Sequence, residues 1–480
     1  MVELAYAVAG FAGAIGFVEI FIRAGTPRRL HELLRLSRQA SAVLRSSRIS
    51  DHWKERAIPA YSLAILRATA IAAVQLVAAL AAFALIAAAL APMRVSLDST
   101  LFLNWPLNVA ALIGGSLYAY WRPNHAAASG NYGAGARLLH RFALGSAAIR
   151  DVSFDLDQSA GQATQPLDNS VAAGGGNHVF VCGLARAGTS ILFRTLYASG
   201  AFEALTYRDM PFVLAPRLWR RLTRRHGAVA VEQERAHQDG LSVSFDSPEA
   251  FDEVFWLTFA RDDYLRPDRL LHHSADDETI ARFRKYIAAI LASGGGKTRY
   301  LSKNNNNVLR LAALRAAFHD AAIVVPFRRP ADHAQSLWRQ HQGFRKQQTD
   351  DPFVRQYMGW LGHYEFGLDH RPFAFGAAMP TANPSEPEYW LEYWIAVYQA
   401  ILAEPEPATI LFDYDAFCET PSGTLSGLAQ RLDVPVAMRQ LAAGIRPART
   451  YDATIFADDV LKRAEAVHAA LRRRASESAR

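Results

Sequence analysis

The sequence predicts an α/β fold, a parallel sheet flanked by helices, preceded by an α-helical membrane region of about three spans. Three observations predict it. From His178 onward, short apolar strands alternate with amphipathic helices, the pattern of a parallel sheet covered on both faces. Before Trp121 lie long apolar runs with few charges. Between the two, the chain is small and polar with glycine-rich ends. At 480 residues it is too long for one ordinary core. It divides into a transmembrane region over 1–123, a linker over 124–177 and a domain over 178–480.

The spans are expected at 4–22, 68–92 and 101–121. Ala68 to Pro92 has only Thr69 and Gln75 as polar members. As a helix it is about 37 Å long, enough to cross a hydrocarbon core of roughly 30 Å. Leu101 to Trp121 carries Trp105 near one end and Tyr118, Tyr120 and Trp121 at the other, aromatics suited to the two interfaces. Leu4 to Ile22 is interrupted by Glu19 and bracketed by Glu3 and Arg23. With Glu3 and no basic residue behind Met1, it does not read as a secretory signal.

The loop from Arg23 to Arg67 holds Arg28, Arg29, Arg35, Arg38, Arg45, Arg48, Lys54 and Arg56, whereas the loop between the second and third spans holds only Arg94. The positive-inside rule then places the basic loop, and everything after Arg122, in the cytoplasm. The expected location is a bacterial inner membrane, multi-pass, with the C-terminal domain cytoplasmic. The basic loop is either a lipid-binding surface or a solvated charged helix. The net charge of +7 is modest, and nucleic acid is not expected among the partners. Cys182 and Cys418 make no disulfide framework, which suits a reducing compartment. No metal-ligand spacing stands out, and no metal is expected.

In the C-terminal domain, strands are expected at Val179–Cys182, Arg299–Leu301, Ile323–Phe327 and Thr409–Phe412. Helices are expected at Thr189–Ser199, Val213–Arg224, Pro248–Phe259, Glu278–Leu291, Val308–Phe318, Ala331–Gln340, Tyr389–Leu402 and Asp458–Arg474. Gly183-Leu-Ala-Arg-Ala-Gly-Thr-Ser190 sits where the first strand becomes a helix. Its glycines turn backbone N–H groups inward and the helix N-terminus adds its dipole, a P-loop-like anion cradle. A nucleoside triphosphatase has Gly-Lys-Ser/Thr here, but Thr189 holds the lysine position and the cation is Arg186, inside the loop. No acidic residue ends an apolar strand to hold Mg²⁺; Ile323–Phe327 runs into Arg328 instead.

These residues resemble the sulfotransferase superfamily that uses 3′-phosphoadenosine-5′-phosphosulfate. Its first motif is an apolar strand followed by Pro-Lys/Arg-Ser-Gly-Thr-Thr, and this chain has Ala185-Arg186-Ala187-Gly188-Thr189-Ser190. Its second is an arginine after a strand, often Arg-x-Pro, with a serine further on, and Arg328-Arg329-Pro330 with Ser336 is similar. Tyr300–Lys303 with Asn304–Asn307, Leu411–Pro421, Leu205–Phe212 and Asp246–Trp256 resemble segments of the bacterial and tyrosylprotein-type branch. The Arg-Lys-Gly-x-x-Gly-Asp-Trp-Lys motif of the cytosolic branch is absent, and Arg446, Arg449 and Tyr451 are candidates to substitute for it.

The resemblance implies a donor nucleotide held at both ends. Arg186, Ala187, Gly188, Thr189 and Ser190 would hold the 5′-phosphate, Arg328 and Ser336 the 3′-phosphate. Arg186 would also bridge to the sulfonate, with Lys303 as a second cation or, equally, a surface lysine. Sulfuryl transfer asks for in-line geometry and charge stabilisation rather than covalent work by the protein. The acceptor hydroxyl needs a base. Asp209 is the first candidate, with a helix N-cap as its alternative, and Glu253, beside Asp252, is the rival. The lone histidines His333 and His341 follow the second motif and read more as structural than catalytic. The expected function is a membrane-tethered sulfotransferase acting on a lipid or glycan at the cytoplasmic face. The alternatives are a Mg²⁺-dependent kinase or triphosphatase and a non-catalytic membrane scaffold.

Overall fold

The computed structural model describes residues 2–26, 51–90, 134–162, 175–223, 251–376, 382–404, 409–434 and 445–477, with isolated positions between them. The chain forms two compact units, Met1–Leu139 and His140–Arg480.

The first unit contains the helices Val2–Arg23 and Asp51–Leu90. Small residues let them close together: a Cβ on Gly16 would lie 2.3 Å from Ile86 Cδ1, and one on Gly13 2.9 Å from Phe83 Cδ2. Among the described residues one helical stretch is long and apolar enough to cross a membrane, the 29 residues Pro59–Ala87. It exposes Leu63, Leu66, Val74, Val77 and Leu85. Against an expected three spans, the described residues show this one. The helix Val2–Arg23 coincides with the first expected span, and Glu19 within it pairs with Arg23 at 2.5 Å. The stretch expected to span at 101–121, apart from Gly115, lies outside the described residues, as do Arg28, Arg35, Arg38, Arg45 and Arg48 of the basic loop, whose last part, from Asp51 on, is already in the helix Asp51–Leu90.

The second unit is built on four parallel strands: β1 (Val179–Val181), β2 (Leu301–Lys303), β3 (Ala322–Phe327) and β4 (Ile410–Asp413), in the order β2-β1-β3-β4. The two-residue side-chain period of a strand sends Val179 and Val181 to one face and Phe180 and Cys182 to the other. On the first face they meet Leu192 and Leu196 of the helix Thr189–Ala198. On the second they join Phe283 and Tyr286 of the helix Asp277–Ser293, and Trp394 and Tyr398 of the helix Pro387–Ala403. Both faces are therefore dry, as an all-parallel sheet requires. The second strand begins two residues later than its apolar run suggests, because Arg299 turns outward to donate to the carbonyls of Leu432 and Asp433.

The stretch read as a linker holds the expected helix, Ala134–Gly145, and a second one, Ala147–Gln162. The second packs on this unit through Phe154, 5.1 Å from the Phe259 ring, while Asp157 accepts from Leu218 N at 2.8 Å. Its polarity hid it in the sequence, since Phe154 is its one deeply buried aromatic.

Five histidines in this unit are held neutral by burial, with pKa values pushed down to about 4 in His178 and His370 and about 3 in His273, His333 and His341. Below about pH 6.5 the unfolded chain takes up protons that the native chain refuses. Stability is therefore complete above that pH and is lost as pH falls from about 6.5 toward 4, by up to about 1.4 kcal/mol per pH unit for each histidine. Urea midpoints of the detergent-solubilised chain at pH 7.5 and 5.5 check this, with His178→Phe expected to flatten the dependence.

Candidate active site

The C-terminal ends of β1, β2 and β3 converge on one edge of the sheet, where ligands of parallel sheets bind. After β1 the backbone turns through Gly183 at φ +118, Arg186 at φ +69 and Gly188 at φ +87. Gly188 caps the helix Thr189–Ala198 and supplies no side-chain acceptor, so the first turn has no side-chain cap and its N-terminus suits an anion. A Cβ at Gly188 would also meet Tyr414 Cδ2 at 2.1 Å. Glycine is thus required there twice, by φ and by the ring over it. Ala187 and Thr189 are buried; Arg186 and Ser190 are partly exposed.

The second motif follows β3. Arg329 caps the helix Pro330–Asp350, and Pro330 opens it. Ser336, buried in that helix, accepts from Arg186 Nε at 3.2 Å. The two motifs, 150 positions apart, therefore share one edge. A second bond joins them. Trp394 Nε1 donates to His333 Nδ1 at 3.0 Å, which leaves the ring proton on Nε2 to donate to the Ala185 carbonyl at 2.7 Å. Burial, with Arg328 and Arg186 nearby, keeps this ring neutral.

Arg328 is buried and donates from Nη2 to the Arg449 carbonyl. Its Nε has no hydrogen-bond partner and stands 4.0 Å from Asp415 Oδ1, itself unbonded. Its guanidinium also lies 5.8 Å from the Tyr414 ring. An orphaned guanidinium N–H at the sheet edge suits the phosphate expected there. Around it, Arg329 N donates to Asp415 Oδ2 at 2.7 Å, Tyr451 N donates to Asp332 Oδ1 at 2.6 Å, and Arg339 lies 4.7 Å over the Tyr451 ring. The stretch around Arg446, Arg449 and Tyr451 is thus seated beside the second motif. Tyr414 and Asp415 were not singled out as site residues, although they lie within the Leu411–Pro421 resemblance.

Lys303 ends β2, buried beside Val181 of β1. The two acids expected as bases occupy other roles. Asp209, fully buried, accepts from Arg220 Nε at 2.6 Å on one oxygen, and from Arg220 Nη2 and Thr206 N at 3.0 and 2.7 Å on the other. It closes a capping box over the short turn Tyr207–Asp209. Glu253, 1% exposed, takes Tyr264 OH at 2.5 Å, Asn304 Nδ2 at 2.8 Å and both Nη groups of Arg310. Each oxygen of both carboxylates thus already faces a donor of the protein itself, and both side chains are closed off from solvent. Asp252 is raised by burial to about 7, but it too is enclosed, accepting from Ser302 Oγ at 2.5 Å. His341 is buried and accepts from Gly367 N at 3.2 Å.

The turn after Lys303 is pressed against a loop that the sequence did not mark. Asn306 Nδ2 donates to the Gly362 carbonyl at 3.2 Å, and Asn305 Nδ2 to Glu365 Oε1 at 3.0 Å. Glu365 Oε2 in turn lies 3.5 Å from His363 Nδ1. Burial works against the charge on Glu365, but the His363 ring and the Asn305 amide hold its pKa down at about 2. His-x-Glu is too short a pattern to be noticed without this fold.

The sequence model of the Sulfotransferase family matches residues 178–438, more than half of the chain, and the chain belongs to that family. A search of curated proteins finds no match. Among solved structures, the chain is similar to the sulfotransferase STF1 of Mycobacterium tuberculosis H37Rv, at 15% identity over 74% of this chain and 91% of that one, with a TM-score of 0.41. It is also similar to the sulfotransferase STF9 of Mycobacterium avium, at 14% identity over 75% and 89%, with a TM-score of 0.39.

Removing one partner of the Glu253–Arg310 pair leaves a buried charge without its counter-ion. Glu253→Ala is expected to lower folding stability by about 3–5 kcal/mol. Urea unfolding checks this; unchanged stability with lost turnover would return Glu253 to a chemical role.

Proposed function

We propose that this member of the sulfotransferase family moves a sulfuryl group from 3′-phosphoadenosine-5′-phosphosulfate to an acceptor hydroxyl on a lipid or glycan at the cytoplasmic face of a bacterial inner membrane. The observation that carries the donor reading is the Arg186–Ser336 contact of 3.2 Å, because it joins two motifs suited to anions. One such motif would serve any nucleotide phosphate. Two on one edge suit a nucleotide phosphorylated at both ends of its ribose.

Each residue then has a defined task. The backbone of Ala187–Ser190 and the hydroxyls of Thr189 and Ser190 hold the 5′-phosphate, whose charge the helix N-terminus favours. Arg328 offers its orphaned Nε–H to the 3′-phosphate, and Ser336 its hydroxyl. Arg186, held in a left-handed turn, brings a cation to the bridging oxygen, where charge develops as the leaving group departs. Lys303, at the end of the neighbouring strand, adds a second cation on the sulfonate side. The apolar helix Pro59–Ala87 supports the membrane part of the reading. The cytoplasmic orientation rests on the basic residues between Arg28 and Arg56 together with a further crossing at 101–121, which returns the chain to their side. A tethered enzyme meets acceptors that are themselves in the membrane, which favours a lipid or lipid-linked glycan.

Calorimetric titration of the full chain in detergent tests the donor. The product nucleotide, 3′-phosphoadenosine-5′-phosphate, is expected to bind well above adenosine 5′-phosphate. Arg328→Ala should weaken it about ten- to a hundredfold, the loss of a charged hydrogen bond of about 1.5–3 kcal/mol, while leaving the weaker nucleotide little changed. Failure of the wild-type chain to bind the product nucleotide overturns the donor reading. Radiolabelled sulfuryl transfer into a total lipid extract tests the acceptor class.

A further inference from the structure

We infer that His363 is the general base of the reaction and that Glu365 is its positioning residue. The inference rests on the sulfuryl-transfer reading and assigns a residue that neither motif contains. The acids and histidines around the sheet edge narrow the choice. Both oxygens of Asp209 and of Glu253 are taken by buried arginines and further donors. Asp252 is sealed behind Ser302. Asp332 and Asp415 each accept on one oxygen from the backbone N–H of Tyr451 and Arg329, and the other oxygen of each faces Arg329 Nε, at 3.2 and 3.4 Å. His333 spends both ring nitrogens on Trp394 and Ala185, and the Nδ1 of His341 is taken by Gly367 N.

His363 differs from all of these. Its side chain is 19% exposed, so a substrate can reach it. Its Nδ1 faces Glu365 at 3.5 Å, and Glu365 is in turn fixed by the Asn305 amide, two residues beyond Lys303. The turn bearing Asn305 leaves the end of β2, the strand beside the β1 loop. Carboxylate, imidazole and sulfonate-side cation therefore belong to one continuous piece of structure. A carboxylate on Nδ1 places the ring proton there and leaves the lone pair on Nε2, the arrangement of a base oriented by a third group. The loop holding it is fixed as well: Asn306 binds the Gly362 carbonyl, and His363 N donates to the Met358 carbonyl at 2.9 Å.

The step balances. The acceptor oxygen forms a bond to sulfur while its proton passes to His363 Nε2. The bond from sulfur to the oxygen of the 5′-phosphate breaks, and that oxygen leaves with the electron pair beside Arg186. The imidazolium, stabilised by Glu365, then returns its proton to solvent.

The test uses the full chain in detergent, with radiolabelled donor and a total lipid extract supplemented with simple alcohols and phenols. His363→Ala is expected to lower kcat on the order of a hundred- to a thousandfold, with product-nucleotide affinity unchanged by calorimetry. Exogenous imidazole is expected to restore part of the turnover of His363→Ala, which it would not do for a purely structural lesion. Glu365→Gln is expected to lower kcat by less, and imidazole should not rescue it. Independently of turnover, diethyl pyrocarbonate should label His363 in the resting protein, read by peptide mass spectrometry, and leave nucleotide binding intact. Full activity of His363→Ala, absence of imidazole rescue, or failure of His363 to label overturns the assignment. Failure of the wild-type chain to bind the nucleotide instead overturns the donor reading on which it rests.

Discussion

The bond from His333 to the Ala185 carbonyl is the contact on which the candidate site turns. Arg186 lies at φ +69, a conformation that costs a residue with a Cβ about 1–2 kcal/mol. Such a conformation persists only where its surroundings over-determine it. Here they do. Gly183 and Gly188 absorb the neighbouring turns, the Tyr414 ring lies over Gly188, and His333 holds the residue immediately before Arg186. Because the same imidazole accepts from Trp394, the loop is braced against the helix Pro387–Ala403 as well as against the helix that carries Ser336. Neutrality is part of the device: a charged ring would give up the Trp394 bond, and the nearby arginines help to keep it uncharged.

Around this braced loop the buried charges divide into two sets. Arg220 with Asp209 and Glu203, and Arg310 with Glu253, are ion pairs at 2.6–3.0 Å enclosed in the protein, although Arg310 Nε and Nη1 make no hydrogen bond. They fix the turn at Tyr207–Asp209 and the helix Glu253–Phe259 to the sheet, and Arg310 lies 4.7 and 4.8 Å over the rings of Trp256 and Tyr264. Buried pairs of this kind add little net stability relative to apolar packing, yet losing one partner is costly. They constrain position more than they stabilise. The second set, Arg328 with Asp415 at the sheet edge, stands looser at 4.0 Å, and that is where the proposed donor phosphate would bind.

The same division explains what the sequence revealed. The four strands were legible because each is a short apolar run, and the two anion motifs because glycine, arginine and hydroxyl residues cluster at the strand ends. Asp209 and Glu253 were legible as acids near aromatic residues. Their arginines were not, since Arg220 and Arg310 are 11 and 57 positions away and meet them only after folding. His333 was noticed and its bonds were not, for Trp394 and Ala185 come from different elements. The pairing of Asn305 with Glu365 over 60 positions left no local pattern at all. In the first unit the long apolar run was legible as a helix, Pro59–Ala87, because nothing in it asks for another conformation.

Arg328 shows how the edge is kept ready for an anion. A buried guanidinium with no carboxylate nearby would be costly, whereas one in a close bidentate pair would have no donor to spare. The structure lies between these extremes. Asp415 stands 4.0 Å from Nε, near enough to offset the charge electrostatically and too far for a hydrogen bond. One oxygen of Asp415 is taken by Arg329 N, and the Arg449 carbonyl takes one Nη2 proton of Arg328. The arginine is thereby fixed in place and partly neutralised while its Nε–H stays uncommitted. A phosphate arriving there gains a charged hydrogen bond without first breaking a strong ion pair, so little of its binding energy is lost to reorganisation.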